Sequence, residues 1–312
     1  MIEKEKMLSI EELQESFGQL DYICSKKIAT TLFLAYKLNK PILVEGPAGV
    51  GKTELAKTCA KYLGFPLIRL QCYEGLDESK SLYEWKYGKQ LLYTQILKDN
   101  LNKIIDGKDS LADAMVKMHK HDDLFFSLNF LEPRPLLKAL QTEKGAVLLI
   151  DEIDKSDEEF EAFLLEVLSD FQVSVPEIGT IKAKKIPFVV LTSNNARDLS
   201  DALKRRCLHL YISFPDAQME RNIVRAKVPG ISEELNKQLV SFIQQIRNLD
   251  IKKLPSVSET IDWAQVLMLL CEDKLDHEVI KNTLNVILKY EEDIRKAEEK
   301  LVEMTMIAKQ VD

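Results

Sequence analysis

The stretch Ile42-Leu43-Val44-Glu45-Gly46-Pro47-Ala48-Gly49-Val50-Gly51-Lys52-Thr53 decides the fold, because a short apolar strand runs directly into a glycine-rich turn that ends in Lys-Thr. Its spacing, G-x-x-x-x-G-K-T, is that of a phosphate-binding loop. Glycines let the backbone fold tightly, so that several N–H groups can point at phosphate oxygens beside the positive end of the next helix. The stretch therefore predicts a nucleoside triphosphate site.

Each residue of this loop has an expected role. Lys52 is expected to contact the β- and γ-phosphates, and the hydroxyl of Thr53 is expected to ligate Mg²⁺. The residues expected to surround the nucleotide are Gly46, Pro47, Ala48, Gly49, Val50, Gly51, Lys52, Thr53 and Glu54. The alternative is a chance glycine turn between a strand and a helix, and the complete motif in its strand, loop and helix context argues against it.

Composition limits the class of protein. Of the 312 residues, 46% are hydrophobic and 30% are charged, which is ordinary for a globular chain of one large or two modest domains. No apolar run is long enough to span a membrane, and the charged start predicts no signal peptide, so we expect a cytoplasmic protein. The net charge of −7 argues against broad binding to nucleic acid. The scattered cysteines are typical of small buried hydrophobes rather than of a disulfide or a zinc site: Cys24, Cys59, Cys72, Cys207 and Cys271.

A second apolar strand, residues 146–150, ends in two carboxylates, Asp151 and Glu152. A fully apolar strand is typical of a parallel sheet buried on both faces, and ligands bind at the carboxyl ends of such strands. We expect Asp151 to hold Mg²⁺, usually through water, and Glu152 to polarise the water that attacks the γ-phosphate. An acidic loop after a core strand is the alternative interpretation.

A third apolar strand, residues 187–193, ends in Asn194 and Asn195. We expect the amide of Asn194 to orient the attacking water or to contact the γ-phosphate, with Asn195 as second choice, although Asn also commonly caps a turn. Further on, Arg205 and Arg206 precede the last strand of the sheet. Adjacent arginines there are usually a solvated edge, but a nucleotide site can also take such an arginine from a neighbouring subunit.

The insert over residues 73–130 interleaves aromatic residues with lysines. The residues concerned are Tyr83, Trp85, Tyr87, Tyr93, Lys80, Lys86 and Lys89. Such a segment is either a surface for a partner or single-stranded nucleic acid, or an aromatic-rich loop and helix packed on the core. His119 and His121 lack a nearby ligand at suitable spacing and are interpreted as surface residues.

The remaining predictions concern local structure. Ser156 and Glu159 form a capping-box pattern that predicts the start of a helix, and a β-hairpin is predicted over about residues 172–185. From residue 216 onward the pattern is helical, with long amphipathic helices predicted between Val279 and Val302. We therefore expect an α/β domain over residues 1–215 and a helical domain over residues 216–312.

The ordered set of motifs resembles the AAA+ ATPases and, within them, the MoxR family. The motifs GPAGVGKT, VLLIDEIDKS, a hairpin, VVLTSNN, DALKRRC and PSVSETIDWAQVL follow in the family's order over nearly the whole chain. The stretches Leu70–Gly75 and Tyr83–Trp85 are similar to those of CoxD-like MoxR members. The resemblance implies a P-loop fold with a five-stranded parallel sheet in the order 5-1-4-3-2, a C-terminal helical lid, and a homo-oligomeric ring, typically a hexamer, with ATP between subunits.

The resemblance also implies roles for single residues. Asn194 maps to sensor 1 and Arg206 to the arginine finger, with Arg205 beside it. Ser258 stands where MoxR proteins commonly place a sensor 2 arginine, and serine cannot supply a cation to the γ-phosphate. Lys252, Lys253 or a neighbour's arginine could substitute for it, or the lid could be coupled to the nucleotide only weakly.

Three functions are consistent with these patterns. The main expectation is a Mg²⁺-dependent ATPase that remodels a protein client, since family members are chaperone-like and often act with a partner carrying a von Willebrand factor A domain. CoxD-like members are linked to metallocentre maturation. One alternative is a nucleic-acid motor, favoured by Lys182, Lys184 and Lys185 and opposed by the acidic charge balance. The other is a slow nucleotide-dependent binding switch. Because the loop is expected to bind the phosphates and not the base, the sequence does not distinguish ATP from GTP.

Overall fold

The computed structural model describes residues 9–93, 95, 127–176, 178–270 and 274–310. The interpretations of His119, His121 and Cys271 lie outside these residues. The same is true of the charged start of the chain and of residues 96–126 within the insert.

The strands set the frame of the fold. In chain order they are β1 (Ile42–Glu45), β2 (Leu67–Gln71), β3 (Tyr83–Trp85), β4 (Leu131–Pro133), β5 (Val147–Asp151), β6 (Gln172–Val175), β7 (Gly179–Lys182), β8 (Phe188–Ser193) and β9 (Leu208–Tyr211). Five of them form one parallel sheet in the order β2-β5-β8-β1-β9. Counted along the chain, this is the predicted order 5-1-4-3-2, so the fold prediction is confirmed.

Burial of the strands follows the sequence pattern. All residues of β5 and β8 are buried, as their continuous apolar sequences predict for central strands of a parallel sheet. The other strands form two antiparallel pairs, β3 with β4 and β6 with β7. The second pair is the predicted hairpin, with Val173 opposite Ile181.

The helices flank the sheet and form the C-terminal part of the chain. They are α1 (Ile10–Gln19), α2 (Lys26–Leu38), α3 (Lys52–Leu63), α4 (Glu78–Ser81), α5 (Pro135–Gln141), α6 (Glu158–Asp170), α7 (Asp201–Arg206), α8 (Ala217–Lys227), α9 (Glu233–Arg247), α10 (Val257–Leu269), α11 (His277–Ile287), α12 (Glu291–Glu299) and α13 (Leu301–Lys309). Residues 87–93 are also helical. Among the described residues, no helix combines the length and the hydropathy of a membrane span.

The start of α6 differs from the prediction by one residue. Asp157 is the cap, and its carboxylate accepts a hydrogen bond from the N–H of Phe160 at 2.8 Å. The hydroxyl of Ser156 instead donates to the carbonyl of Ile153 at 2.8 Å and closes a short 3-10 turn. The predicted capping box of Ser156 and Glu159 is therefore wrong, because the preceding turn already uses the serine hydroxyl.

The chain forms two compact units. The first comprises Met1–Gly64, Thr192–Ala196 and Leu208–Asp312, and the second comprises Phe65–Leu191 and Arg197–Cys207. The first unit thus contains both the phosphate-binding loop and the C-terminal helices α8 to α13, which are called the lid below. The expected boundary between α/β and helical domains near residue 215 remains a prediction.

The lid has its own apolar core. The rings of Phe242 and Trp263 lie 5.5 Å apart at its centre, and both side chains are fully buried. The helices between Val279 and Val302 are shorter than predicted, because the chain leaves the helical conformation after Ile287 and buries Leu288 from an extended backbone. Three short helices, α11 to α13, replace the long ones expected.

A buried ion pair joins the lid helices. The guanidinium of Arg247 donates to both carboxylate oxygens of Glu220, at 2.6 and 2.7 Å, and its Nε donates to the carbonyl of Pro255 at 2.8 Å. The same guanidinium lies 4.7 Å from the ring centre of Phe214. A buried charge needs such partners to remain in the fold, so this pair fixes α8, α9 and the start of α10 to one another.

Candidate nucleotide-binding site

The loop Gly46–Thr53, called the phosphate loop below, requires glycine where it approaches other backbone. Gly46 has a φ of +150°, and a Cβ built there would lie 2.0 Å from the carbonyl oxygen of Ile212. Gly49 has a φ of +72°, a left-handed conformation that side chains disfavour. The loop therefore holds the tight, N–H-rich shape that suits a phosphate.

Lys52 is the buried cation of the phosphate loop. Its Nζ donates to the carbonyls of Gly46 at 2.6 Å and Pro47 at 2.7 Å, and to Oδ1 of Asn194 at 2.7 Å. Only 7% of Lys52 is exposed. A buried ammonium group at the N-terminus of α3 suits an anionic ligand. The first unit therefore brings two predicted site residues, Lys52 and Asn194, into direct contact.

The two asparagines after β8 differ in their surroundings. Asn194 contacts Lys52, whereas Asn195 has a φ of +58° and its N–H donates to Oγ of Ser193 at 3.0 Å. Asn195 therefore forms the local turn that is common for asparagine. This geometry favours Asn194 over Asn195 as the residue facing a nucleotide.

Thr53 and Glu54 form the first turn of α3 and are partly exposed. The carboxylate of Glu54 lies 3.4 Å from Nζ of Lys227 in the lid and 3.4 Å from Nζ of Lys57. Partial burial acts to raise the pKa of Glu54, but the charges of Lys227 and Lys57 outweigh it and hold that pKa below its ordinary value.

A cavity of about 530 Å³ lies beside the phosphate loop, entirely within the first unit. Its apolar walls come from the segment before α2, the segment after β9, and helices α8 and α10. The wall residues include Tyr22, Ile23, Phe214, Met219, Ile223 and Ile261. Small-molecule pockets are typically about 300 to 1,000 Å³ and mostly apolar with few polar groups, so the cavity suits the base and sugar of a nucleotide.

The lid contacts the phosphate loop directly at Gly49. The N–H of Ser258 donates to the carbonyl of Gly49 at 3.3 Å, and the hydroxyl of Ser258 approaches the same carbonyl at 3.5 Å. Of the lysines considered as substitutes for a sensor 2 arginine, Lys252 pairs with Glu292 at 2.9 Å and Lys253 with Glu259 at 3.0 Å. The contact at the expected sensor 2 position is therefore between neutral groups.

Replacing Gly49 by alanine is expected to weaken nucleotide binding. A Cβ at Gly49 would lie 2.4 Å from Cβ of Ser256 at the start of α10, and a strained backbone conformation costs about 1–3 kcal/mol. We expect at least about a fivefold higher Kd for a fluorescent ATP analogue, measured by titration. Gly75→Ala is the matched control, because Gly75 has a φ of +75° with nothing within 4 Å of its built Cβ. Equal binding by Gly49→Ala and wild-type protein would show that the close approach of Gly49 to Ser256 is not needed for nucleotide binding.

The second unit holds the two predicted carboxylates at the end of β5. Asp151 is almost fully buried, and its Oδ2 lies 2.6 Å from Nη2 of Arg69 on β2. Glu152 has a φ of +58°, and its Oε2 accepts from Nε2 of Gln71 at 2.9 Å and from Nζ of Lys155 at 2.7 Å. A non-glycine residue held at positive φ is a strained position of the kind that clusters at functional sites.

These contacts affect the neighbouring ionisable groups. The hydrogen bond to Glu152 and the charge of Glu152 raise the pKa of Lys155 above its ordinary value. Burial, and then the charges of Asp151, Asp154 and Glu152, raise the pKa of the Cys72 thiol to about 12. Cys72 is therefore a neutral buried thiol, in agreement with the interpretation of the cysteines as small hydrophobes.

Sequence reasoning missed Arg69 and Gln71. They are two residues apart on β2, so their side chains leave the same face of that strand, and β2 pairs with β5 in register. The signal was present as two polar residues at alternate positions of an otherwise apolar strand. The expected strand order places β5 beside β2, but nothing in the sequence indicated that Asp151 would be the partner of Arg69.

The two arginines at the end of α7 differ in exposure. Arg205 is exposed, while Nε of Arg206 donates to Oγ of Ser169 at 2.5 Å and its Nη1 donates to the carbonyl of Ala202 at 3.1 Å. Within the second unit, Arg206 is thus held against the end of α6.

The aromatic residues of the insert differ in their surroundings. The rings of Tyr83 and Trp85 stack edge to face at 5.8 Å, whereas Tyr87 is 67% exposed. Near the hairpin, Lys184 pairs with Glu143 and Lys185 lies over Phe65, while Lys182 is exposed. Two of the three lysines that favour a nucleic-acid motor therefore contact their own unit.

Comparison with known proteins identifies the family. Residues 41–207, just over half of the chain, match the model of the AAA domain, dynein-related subfamily. The chain belongs to this AAA domain family. The matched residues include the phosphate loop, Asp151, Glu152, Asn194 and the arginine pair of α7.

The AAA domain also has curated relatives and structural neighbours. Two uncharacterized proteins of Staphylococcus aureus, from strains bovine RF122 / ET3-1 and USA300, are each 25% identical over 245 residues, covering 76% of this chain and 79% of the relative. A RuvB mutant of Thermotoga maritima aligns with a TM-score of 0.47 at 17% identity, covering 96% of this chain and 78% of that one. The Thermotoga maritima RuvB Holliday junction branch migration motor aligns with a TM-score of 0.45 at 17% identity, covering 94% and 77%.

Proposed function

We propose that this AAA domain is a Mg²⁺-dependent ATPase. The observation that carries the proposal is the buried ammonium of Lys52, bound by Asn194 and two loop carbonyls beside a cavity of nucleotide size. The base and sugar occupy the cavity, and the phosphates lie along the N–H groups of the phosphate loop. Lys52 then exchanges carbonyl contacts for phosphate oxygens.

The chain also carries oxygen ligands of the kind that Mg²⁺ prefers. The hydroxyl of Thr53 and the carboxylate of Asp151 would hold the ion, and the buried carboxylate fits a hard cation. When bound, Mg²⁺ neutralises charge on the β- and γ-phosphate oxygens. Thr53 and Asp151 belong to different units, and their action on one ion is part of the proposal.

Glu152 is the proposed general base. It accepts the proton of the water whose oxygen attacks the γ-phosphorus, while the bond to the leaving ADP oxygen breaks. Asn194 orients this water or the γ-phosphate. Gln71 and Lys155 hold the carboxylate of Glu152, so they must release it, at least in part, before it can reach water.

We further propose a ring, typically of six subunits, in which Arg206 completes a neighbour's site and Arg205 lies beside it. On the order of its motifs we assign the chain to the MoxR branch, in its CoxD-like subgroup, where hydrolysis remodels or matures a protein client. A partner carrying a von Willebrand factor A domain is the expected accessory protein, and the cytoplasm is the expected location.

The test is a nucleotide titration of the wild-type chain. We expect Mg²⁺-dependent binding of ATP and steady-state release of phosphate, both lost in Lys52→Ala, because that variant removes the buried ammonium. A parallel titration with GTP measures the preference for adenine or guanine, which the sequence of the phosphate loop does not reveal. Absence of ATP binding by folded wild-type protein would refute the proposal.

Two alternatives lead to different results in the same assays. Stimulation of hydrolysis by DNA or RNA, with salt-sensitive binding, would identify a nucleic-acid motor. The observation that favours this alternative is the exposed side chain of Lys182. Tight ATP binding with a turnover near zero, and partner binding that differs between ATP and ADP, would identify a nucleotide switch.

A further inference from the structure

The proposed reaction assigns no role to Arg69, although this residue contacts the proposed metal ligand Asp151. It lies on β2, an edge strand of the sheet, and its side chain is 51% exposed, whereas the side chain of its partner Asp151 is 3% exposed. A half-exposed guanidinium thus covers the carboxylate that we propose as a metal ligand. The inference below rests on that proposed function.

A single nitrogen of Arg69 makes two contacts. Nη2 lies 2.6 Å from Oδ2 of Asp151 and donates to Oε1 of Gln71 at 2.5 Å. The amide nitrogen of the same Gln71 donates to Oε2 of Glu152 at 2.9 Å. The four side chains therefore form one continuous chain, from the proposed metal ligand to the proposed base.

The order of these contacts has a physical consequence. A carboxylate oxygen bound to a guanidinium has part of its charge and one coordination position already satisfied. Arg69 must therefore leave Asp151, or share it, before that oxygen can serve a divalent cation. Because the Arg69 nitrogen also fixes the carbonyl end of Gln71, its departure loosens the amide that restrains Glu152.

We propose that Arg69 is a positioning residue that competes with the metal ion for Asp151 and couples this exchange to Glu152 through Gln71. Without metal, Arg69 holds both carboxylates in the arrangement seen here. With metal, Arg69 gives up Asp151 and the hold of Gln71 on Glu152 weakens. Engagement of the metal ligand thus loosens one restraint on the base, while the ion pair with Lys155 still holds it.

The test measures how strongly Mg²⁺ improves nucleotide binding, rather than the rate of turnover. The probe is a non-hydrolysable ATP analogue, and the measured quantity is the ratio of its Kd in EDTA to its Kd in saturating Mg²⁺. Arg69→Gln removes the competing charge, so this ratio is expected to rise by up to about fivefold, the effect of an exposed ion pair. Arg69→Lys keeps a charge near Asp151 and is expected to stay near the wild-type ratio.

Gln71→Ala tests the coupling. Removing Gln71 takes away the second acceptor of Arg69, so the ratio is expected to rise less than in Arg69→Gln, and the double variant is expected to match Arg69→Gln alone. The control is Arg134→Gln, which removes a guanidinium paired with Glu84 in the same unit without touching either carboxylate. It is expected to keep the wild-type ratio.

Other results would contradict the competition for Asp151, the coupling through Gln71 or the proposed function itself. A ratio for Arg69→Gln equal to that of wild type and of Arg134→Gln would overturn the competition. Additive effects of Arg69→Gln and Gln71→Ala would overturn the coupling through Gln71. If the wild-type chain binds no analogue with or without Mg²⁺, the proposed function fails instead, so the two failures are distinguishable.

Discussion

Replacing Arg206 by alanine is expected to slow ATP hydrolysis about a thousandfold or more and to leave nucleotide binding intact. An arginine supplied by a neighbouring subunit typically contributes a factor of about 10³–10⁵ by stabilising transition-state charge. Arg206 lies at the end of α7 with its guanidinium on Ser169 and on the carbonyl of Ala202. These neutral partners can be exchanged for a phosphate at small electrostatic cost.

The measurement is a mixing experiment. Arg206→Ala keeps its own Glu152, and Glu152→Gln keeps its own Arg206, so a ring containing both recreates complete sites from two inactive proteins. We expect steady-state phosphate release to reappear in the mixture. Arg205→Ala is the control at the exposed neighbouring arginine. No recovery from two folded, ATP-binding proteins would contradict a site shared between subunits, and full loss in Arg205→Ala alone would move the role to Arg205.

Glu152→Gln is expected to bind ATP and hydrolyse it at least about a hundredfold more slowly, since a positioned acid or base contributes about that much. Glutamine retains an oxygen that can accept from Gln71 and Lys155, while losing the ability to take a proton. The variant therefore separates the chemistry of Glu152 from its structural contacts.

Single-turnover hydrolysis and analogue binding are measured side by side for this variant. Glu143→Gln is the control, because it removes an exposed carboxylate of the same unit that pairs with Lys184. Full turnover by Glu152→Gln would reassign the base. If the variant behaves as expected, holding it in ATP and isolating bound proteins gives a direct route to the client.

Sequence reasoning performed best where one physical requirement determines several residues at once. A phosphate loop needs glycines, a lysine and a hydroxyl at fixed spacing, and in the structure Gly46 and Gly49 have positive φ and Lys52 is buried. Likewise, strands buried on both faces must be apolar throughout, so β5 and β8 could be found by composition alone.

It failed where the outcome depends on which side chains meet across the fold. Ser156 carries a capping pattern, yet its hydroxyl bonds Ile153 and Asp157 caps the helix. Arg69 and Gln71 resemble the exposed face of an ordinary strand until the register between β2 and β5 is known. A linear pattern contains local propensities, whereas these contacts depend on pairings between segments distant in the chain.

The contact between Ser258 and Gly49 has a consequence for how this protein responds to ionic strength. It joins an N–H and a hydroxyl to a carbonyl, and none of these groups carries a charge. Dissolved salt screens interactions between exposed charges over about 10 Å at 0.1 M, but it has little to screen in a short neutral hydrogen bond. This contact is therefore expected to change little at high ionic strength, whereas the ion pair between Lys227 of the lid and Glu54 is expected to weaken.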